Sequence, residues 1–169
     1  DAETTTDILL ECAFFQPLSV TGRARSYGLR TDSSHRFERG VDPQVQFKAI
    51  ERATSLLLAI CGGQAGSVIN QTAEDKLPAE KKVSLRREKL TRLVGMAFDD
   101  AEVVDILTRL GLTVQATETG WDTVVPSFRF DISIEEDLVE EIARIFGYDN
   151  IPNIAPVAGL TMSEHKEAE

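Results

Sequence analysis

The chain has 169 residues, 42% of them apolar, enough for one ordinary hydrophobic core or two small ones. Acidic side chains outnumber basic ones by 28 to 18, and the formal net charge of −10 excludes a whole-chain positive footprint of the kind duplex nucleic acid requires. Two cysteines, Cys12 and Cys61, form no disulfide framework and fit a reducing cytoplasm, and the longest apolar run, Leu56 to Cys61, falls far short of the roughly 20 residues that span a bilayer. The opening DAETTTD has neither the basic and apolar regions of a secretory signal nor the basic character of a transit peptide, so a cytoplasmic chain without membrane association is expected.

In chain order, ILLECAFF (8–15) reads as a buried strand, being short, apolar and aromatic. Its period of two puts Leu9, Glu11, Ala13 and Phe15 on one face, which leaves a carboxylate among apolar neighbours. Such a group is costly to bury unless it reaches solvent, pairs with an arginine such as Arg23 or Arg36, or meets a ligand hydroxyl. PLSVTGRARSYG follows as a short helix, with Pro17 in its first turn and Gly28 as its stop. LRTDSS and SSHRFER read as loop. His35, with Arg36, Glu38 and Arg39, forms either a local ion-pair network or polar groups displayed for a ligand, and His35 has no Ser or Cys partner that would signal a nucleophile. Asp42 and Pro43 are the expected cap and first residue of a long helix whose apolar spacing runs from Val45 to Ile60 before Gly62-Gly63. AGSVINQT (65–72) is the expected strand after it.

EDKLPAEKK (74–82) is charged, proline-containing and aperiodic, the best linker in the chain. VSLR (83–86) then predicts a strand, REKLTRLVG a short helix, and DDAEVVDILTRLG a helix capped by Asp99 or Asp100, with Val103, Ile106, Leu107 and Leu110 inward. LTVQATE and WDTVVPS read as a hairpin turning at Thr119-Gly120, and IEEDLVEEIARIFGY as a closing helix with Leu138, Ile142, Ile145 and Phe146 inward. The predicted fold class is α+β: a partial α/β unit (strand-helix-loop-helix-strand, residues 1–75), a linker (76–82), a small winged-helix-type α+β unit (83–152) and a loose tail (153–169).

The closing helix carries a second candidate site. Asp137, Glu140 and Glu141 stand at i, i+3 and i+4 and share a face, with Asp131 just upstream. Like charges at those offsets repel, and Mg²⁺, which prefers carboxylate oxygens, would relieve the repulsion; a solvated acidic face is the bland alternative. A third candidate is the basic set Arg86, Arg87, Lys89 and Arg92 on a helix-turn-helix-like outline. Residues 81–150 hold nine basic and fourteen acidic side chains, however, a balance of −5 that disfavours a DNA groove.

LLECAFFQPLSVTGRARSYGLRTDSSHRFERGVDP, with ICGGQAG after it, resembles the latter part of the editing region of bacterial phenylalanyl-tRNA synthetase beta subunits. RREKLTRLVG and VPSFRFDISIEEDLVEEIARIFGYDNIP resemble the helix-turn-helix-like domain that follows there. The resemblance covers nearly the whole chain and implies an internal fragment of a longer subunit. That subunit pairs with an alpha subunit in a two-alpha, two-beta assembly that joins phenylalanine to tRNA(Phe) using ATP and Mg²⁺. The resemblance further implies that Glu11 accepts a hydrogen bond from the hydroxyl of tyrosine wrongly attached to that tRNA, with Ser33 and His35 beside the same pocket. Many relatives have alanine where this chain has Ser33. It also implies that Asp131, Asp137, Glu140 and Glu141 are magnesium ligands shared with the alpha subunit. Other pocket residues known in the family precede this region, so the fragment alone is expected to be inactive.

Overall fold

The structure, a computed structural model, describes residues 3–153 and residue 159. The expected tail lies almost wholly outside them.

In the first unit, helices α1 (Pro17–Val20) and α2 (Arg23–Ser26) replace the single predicted helix. The break falls at Gly22, whose φ of 78° is left-handed and cannot continue a helix. Helix α3 (Asp32–Arg39) corrects the reading of SSHRFER as loop. Thr31 Oγ1 accepts from Ser34 N at 3.1 Å and Thr31 N donates back to Ser34 Oγ at 3.2 Å, a reciprocal cap that satisfies two orphan donors. Phe37 of α3 packs edge-on against Phe15, with ring centroids 5.0 Å apart. Helix α4 (Gln46–Cys61) starts later than Asp42-Pro43 suggests. Asp42 instead holds the turn leading in, accepting from Gln44 N at 2.9 Å on its side chain and from Gln46 Nε2 at 2.9 Å on its carbonyl.

Residues 8–15 and 65–72 form no strand. A strand persists only with a neighbour to complete its ladder, and the single sheet among the described residues lies wholly in the second unit. No described residue before Val83 is buried. Helix α4 therefore has a helical apolar period but no fully buried residue, and Ile60 stands 79% exposed.

The second unit contains the core. Strand β1 (Lys81–Arg86) begins two residues before the predicted Val83 and is followed by helices α5 (Arg87–Val94) and α6 (Asp100–Arg109), strands β2 (Thr113–Ala116) and β3 (Gly120–Val125), and helix α7 (Glu135–Phe146). Short 3₁₀ turns lie at Glu74–Lys76 and Tyr148–Asn150. The sheet is antiparallel in the order β1-β3-β2, with Leu85 opposite Trp121 and Val83 opposite Thr123. Alternation turns Val83 and Leu85, and Trp121, Thr123 and Val125, to one face. Leu90, Val103, Ile106, Leu107, Leu138 and Ile142 from the three helices cover it. Each such side chain contributes roughly 1.5–3 kcal/mol on burial, so the mixed α+β fold stands on this half alone.

Three details set its geometry. Gly95 ends α5 in the left-handed conformation at φ 84°, and Asp99 Oδ1 caps α6 by accepting from Ala101 N at 3.0 Å. Gly120, read from sequence as part of the turn, is the first residue of β3 and lies opposite Arg86. A Cβ there would stand 1.9 Å from Leu85 O, so the sheet closes only around a glycine.

Candidate functional site

The first candidate region surrounds α3. A shallow groove of about 680 Å³ runs between the α2–α3 connection and α3, lined among others by Arg25, Arg30, Ser34, His35 and Glu38. Glu38 Oε1 accepts from Gly22 N at 3.1 Å, which ties α3 to the start of α2. The ion-pair network considered for SHRFER does not form within the described residues. On a helix the Arg36 and Arg39 side chains stand off the Glu38 position, and the segment is held by its cap, the Phe15–Phe37 contact and the Glu38 bond. His35 lines the groove. Ser33 and Glu11 do not, and both are exposed. The expected burial of Glu11 in a strand face is corrected accordingly: it lies in a segment without regular secondary structure and takes no ion pair from Arg23 or Arg36. The structure thus places His35 in a cleft without bringing Glu11 or Ser33 into it.

The second region surrounds Arg129, which sequence reasoning overlooked although it stands two residues before Asp131. Its guanidinium donates to Asp131 through Nε at 3.0 Å and Nη2 at 2.7 Å, and reaches Glu141 Oε1 at 3.0 Å. Arg144 Nη2 donates to the other oxygen of Glu141. Asp131 is held below the usual carboxylate range chiefly by the hydrogen bond from Arg129. At Glu141 burial pushes the carboxyl up, but hydrogen bonds from Arg129 and Arg144 outweigh it and the net shift is downward. Asp137 turns back on its own helix, accepting from Ser133 N at 2.7 Å and Ile134 N at 2.9 Å. That uses the carboxylate as the N-terminal cap of α7. Glu140 is exposed. Asp131, Asp137, Glu140 and Glu141 therefore do not converge, and no cluster of three or more acidic, histidine or cysteine side chains able to hold a metal occurs among the described residues. As arranged, two arginines and a helix cap already occupy the oxygens that Mg²⁺ would need, and the residues do not fit the ion.

The basic set at the end of β1 and on α5 is largely neutralised in the same way. Glu135 accepts from Arg86 N at 2.7 Å, from Arg86 Nη2 at 2.8 Å, and lies 3.3 Å from Lys89 Nζ. Lys89 also pairs with Glu136. Arg87 donates to Asp100 at 3.0 Å and stacks 4.8 Å from the centroid of Trp121. Glu135 is held down to about 2, first by the Arg86 side chain and then, against the cost of burial, by the Arg86 backbone and Lys89. Among the described residues only Arg92 of this set lacks such a partner, so this surface presents little net positive charge to a phosphate backbone. No helix among the described residues is long and apolar enough to cross a membrane.

With this geometry in place, two family models match the chain: a B3/4 domain over residues 2–62 and a tRNA synthetase B5 domain over residues 83–148. The phenylalanine–tRNA ligase beta subunit of Dickeya dadantii is 60% identical over 165 residues, which is 98% of this chain and 21% of that subunit. The chain is similar to phenylalanine–tRNA ligase beta subunits, at 55–60% identity over nearly its whole length. The corresponding subunit of Pectobacterium atrosepticum is 60% identical over 166 residues, and that of Shewanella oneidensis 55% identical over 168, covering 98% and 99% of this chain. The chain spans about a fifth of the length of these beta subunits, 21% in each case. The B3/4 match contains Glu11, Ser33 and His35, and the B5 match contains the Arg129 network and the whole core of the second unit.

Proposed function

We propose that this chain is the portion of a phenylalanine–tRNA ligase beta subunit that helps remove tyrosine wrongly joined to tRNA(Phe), within an enzyme that also needs an alpha subunit, ATP and Mg²⁺ and works in the cytoplasm. The observation that carries the reading is the B3/4 match over residues 2–62 together with about 60% identity to named beta subunits across nearly the whole chain. In this reading Glu11 accepts the tyrosine hydroxyl while His35 and Ser33 border the ester. A carboxylate fitted to a hydroxyl discriminates strongly against a ligand that lacks it, because the carboxylate is then left unpaired. Phenylalanine would be spared for that reason. Hydrolysis would depend on holding the ester and a water in position rather than on a general base from this chain.

The exposed setting of Glu11 is compatible with this role once the opposite wall is supplied by other parts of the beta subunit. The uncovered apolar face of α4 offers those parts a surface to pack on. No step is assigned to a metal held by Asp131, Asp137, Glu140 and Glu141, since the oxygens of Asp131, Asp137 and Glu141 are engaged within the second unit. That unit is then a rigid element for assembly with the alpha subunit. The test is Glu11→Ala in the assembled enzyme. Hydrolysis of tyrosyl-tRNA(Phe) should fall at least tenfold while formation of phenylalanyl-tRNA stays unchanged. Undiminished tyrosyl-tRNA hydrolysis would remove the editing role and leave the segment a connector.

A further inference from the structure

The two units face each other across a cleft of about 1040 Å³, bordered by Phe14, Gln16 and the α3–α4 connection on one side and by the segment before β1 and residues 124–130 on the other. Among the described residues, no hydrogen bond or ion pair from the stretch 6–70 reaches the second unit. An aromatic ring crosses instead. A Cβ built on Gly40 would stand 2.6 Å from Phe130 Cδ2 and 2.9 Å from Cε2, so the ring occupies the place of a side chain at position 40. Gly40 ends α3, with its N–H donating to Arg36 O at 2.9 Å and a φ of 132° that side chains rarely adopt. Space and backbone both call for glycine there.

The second unit holds the other side of this contact firmly. Ile132, two residues on, is fully buried in the core. Lys81, where the linker meets β1, donates to Phe130 O at 2.9 Å and to Ile132 O at 3.3 Å. Arg129, the residue before Phe130, is fixed on Asp131 at 2.7 Å and Glu141 at 3.0 Å. Phe130 therefore stands on a segment ordered by its own unit, and seating the first unit against it costs little further chain entropy. We propose that Phe130 on Gly40 is a latch between the units: it sets where α3, with Ser33 and His35, stands relative to the sheet, and it opens reversibly. Reversibility follows from its size. Phe130 remains 44% exposed, and units joined by a small contact and a linker move unless a large apolar interface holds them.

The test is time-resolved energy transfer across the full chain, from Trp121, the sole tryptophan and part of the second unit, to an acceptor on Cys61 at the exposed end of α4. Cys12→Ser leaves Cys61 as the single thiol to label. The parent should give one narrow distance distribution with a minor broad fraction. Phe130→Ala removes roughly half of a full ring burial and should raise that broad fraction about fivefold. Gly40→Ala should also raise it, from the first unit's side, by driving a methyl into the ring. The double variant should be no broader than Phe130→Ala alone, because the ring that the methyl would strike is gone. Phe128→Ala is the control. Its ring lies 2.9 Å from a Cβ built on Gly111, inside the second unit, so its removal should leave the distribution unchanged. A parent as broad as Phe130→Ala, equal broadening by Phe128→Ala, or additive effects in the double variant would overturn the proposal. None of these readings involves hydrolysis, so the editing role at Glu11 stands or falls separately.

Discussion

Glu135 joins β1, α5 and α7, and its removal should be felt in the stability of the second unit. The Glu135→Ala variant deprives Arg86 N of a charged acceptor at 2.7 Å and ends the pairings with the Arg86 side chain at 2.8 Å and with Lys89 at 3.3 Å. A hydrogen bond to a charged group contributes about 1.5–3 kcal/mol, and each partly exposed ion pair about 0.2–1 kcal/mol. Water can rehydrate the Arg86 side chain, which is 64% exposed, so the expected loss is about 2 kcal/mol rather than the full total. Trp121 is the sole tryptophan and is 1% exposed, so its fluorescence during urea unfolding reports the second unit without interference from the first. The pH dependence gives an independent check. Glu135 is lowered from 4.5 to about 2, so its stabilisation is complete above about pH 4.5 and is lost as pH falls toward 2. The gap between the parent chain and the variant should therefore narrow across that window. A variant within about 0.5 kcal/mol of the parent at neutral pH, or a gap that stays constant from pH 6 to 2.5, would refute the reasoning.

Gly120→Ala should cost at least about 3 kcal/mol by the same urea assay, because the new methyl meets the Leu85 carbonyl and no flexible side chain is available to yield. A loss below about 1 kcal/mol would mean that β1 and β3 are not held at this separation. Millimolar Mg²⁺ should leave the thermal midpoint of the full chain unchanged within about 1 °C, since binding would have to pull Asp131 and Glu141 away from Arg129. A rise of several degrees would show that the arginines give way to the ion.

The second unit was legible in the sequence nearly element by element because its local signals and its packing agree. Asp99 caps where an Asp before an apolar period should, Gly95 stops α5, and Val103, Ile106 and Leu107 form the buried stripe that their spacing predicts. The first unit misled for the opposite reason. ILLECAFF has strand composition, but composition alone cannot provide the neighbouring strand whose hydrogen bonds make one. In α3 the Thr31 and Ser34 pair was a readable start signal, masked by a run so polar that it offered only Phe37 as an apolar position.

Spacing also located the acidic set correctly on one helix, yet it could not say what the carboxylates face. Asp131 and Glu141 lie ten positions apart in the chain, and only the fold carries Arg129 between them, which turns a candidate cation site into an ion-paired brace. Helix periods, caps and glycine stops are properties of a few consecutive residues, so the sequence by itself determined them. The partners of Glu135 and of the Arg129 group, and the approach of Gly40 to the Phe130 ring, depend on contacts between distant segments. Those were decided by tertiary structure, because the energy of a charge is set by its neighbours in space.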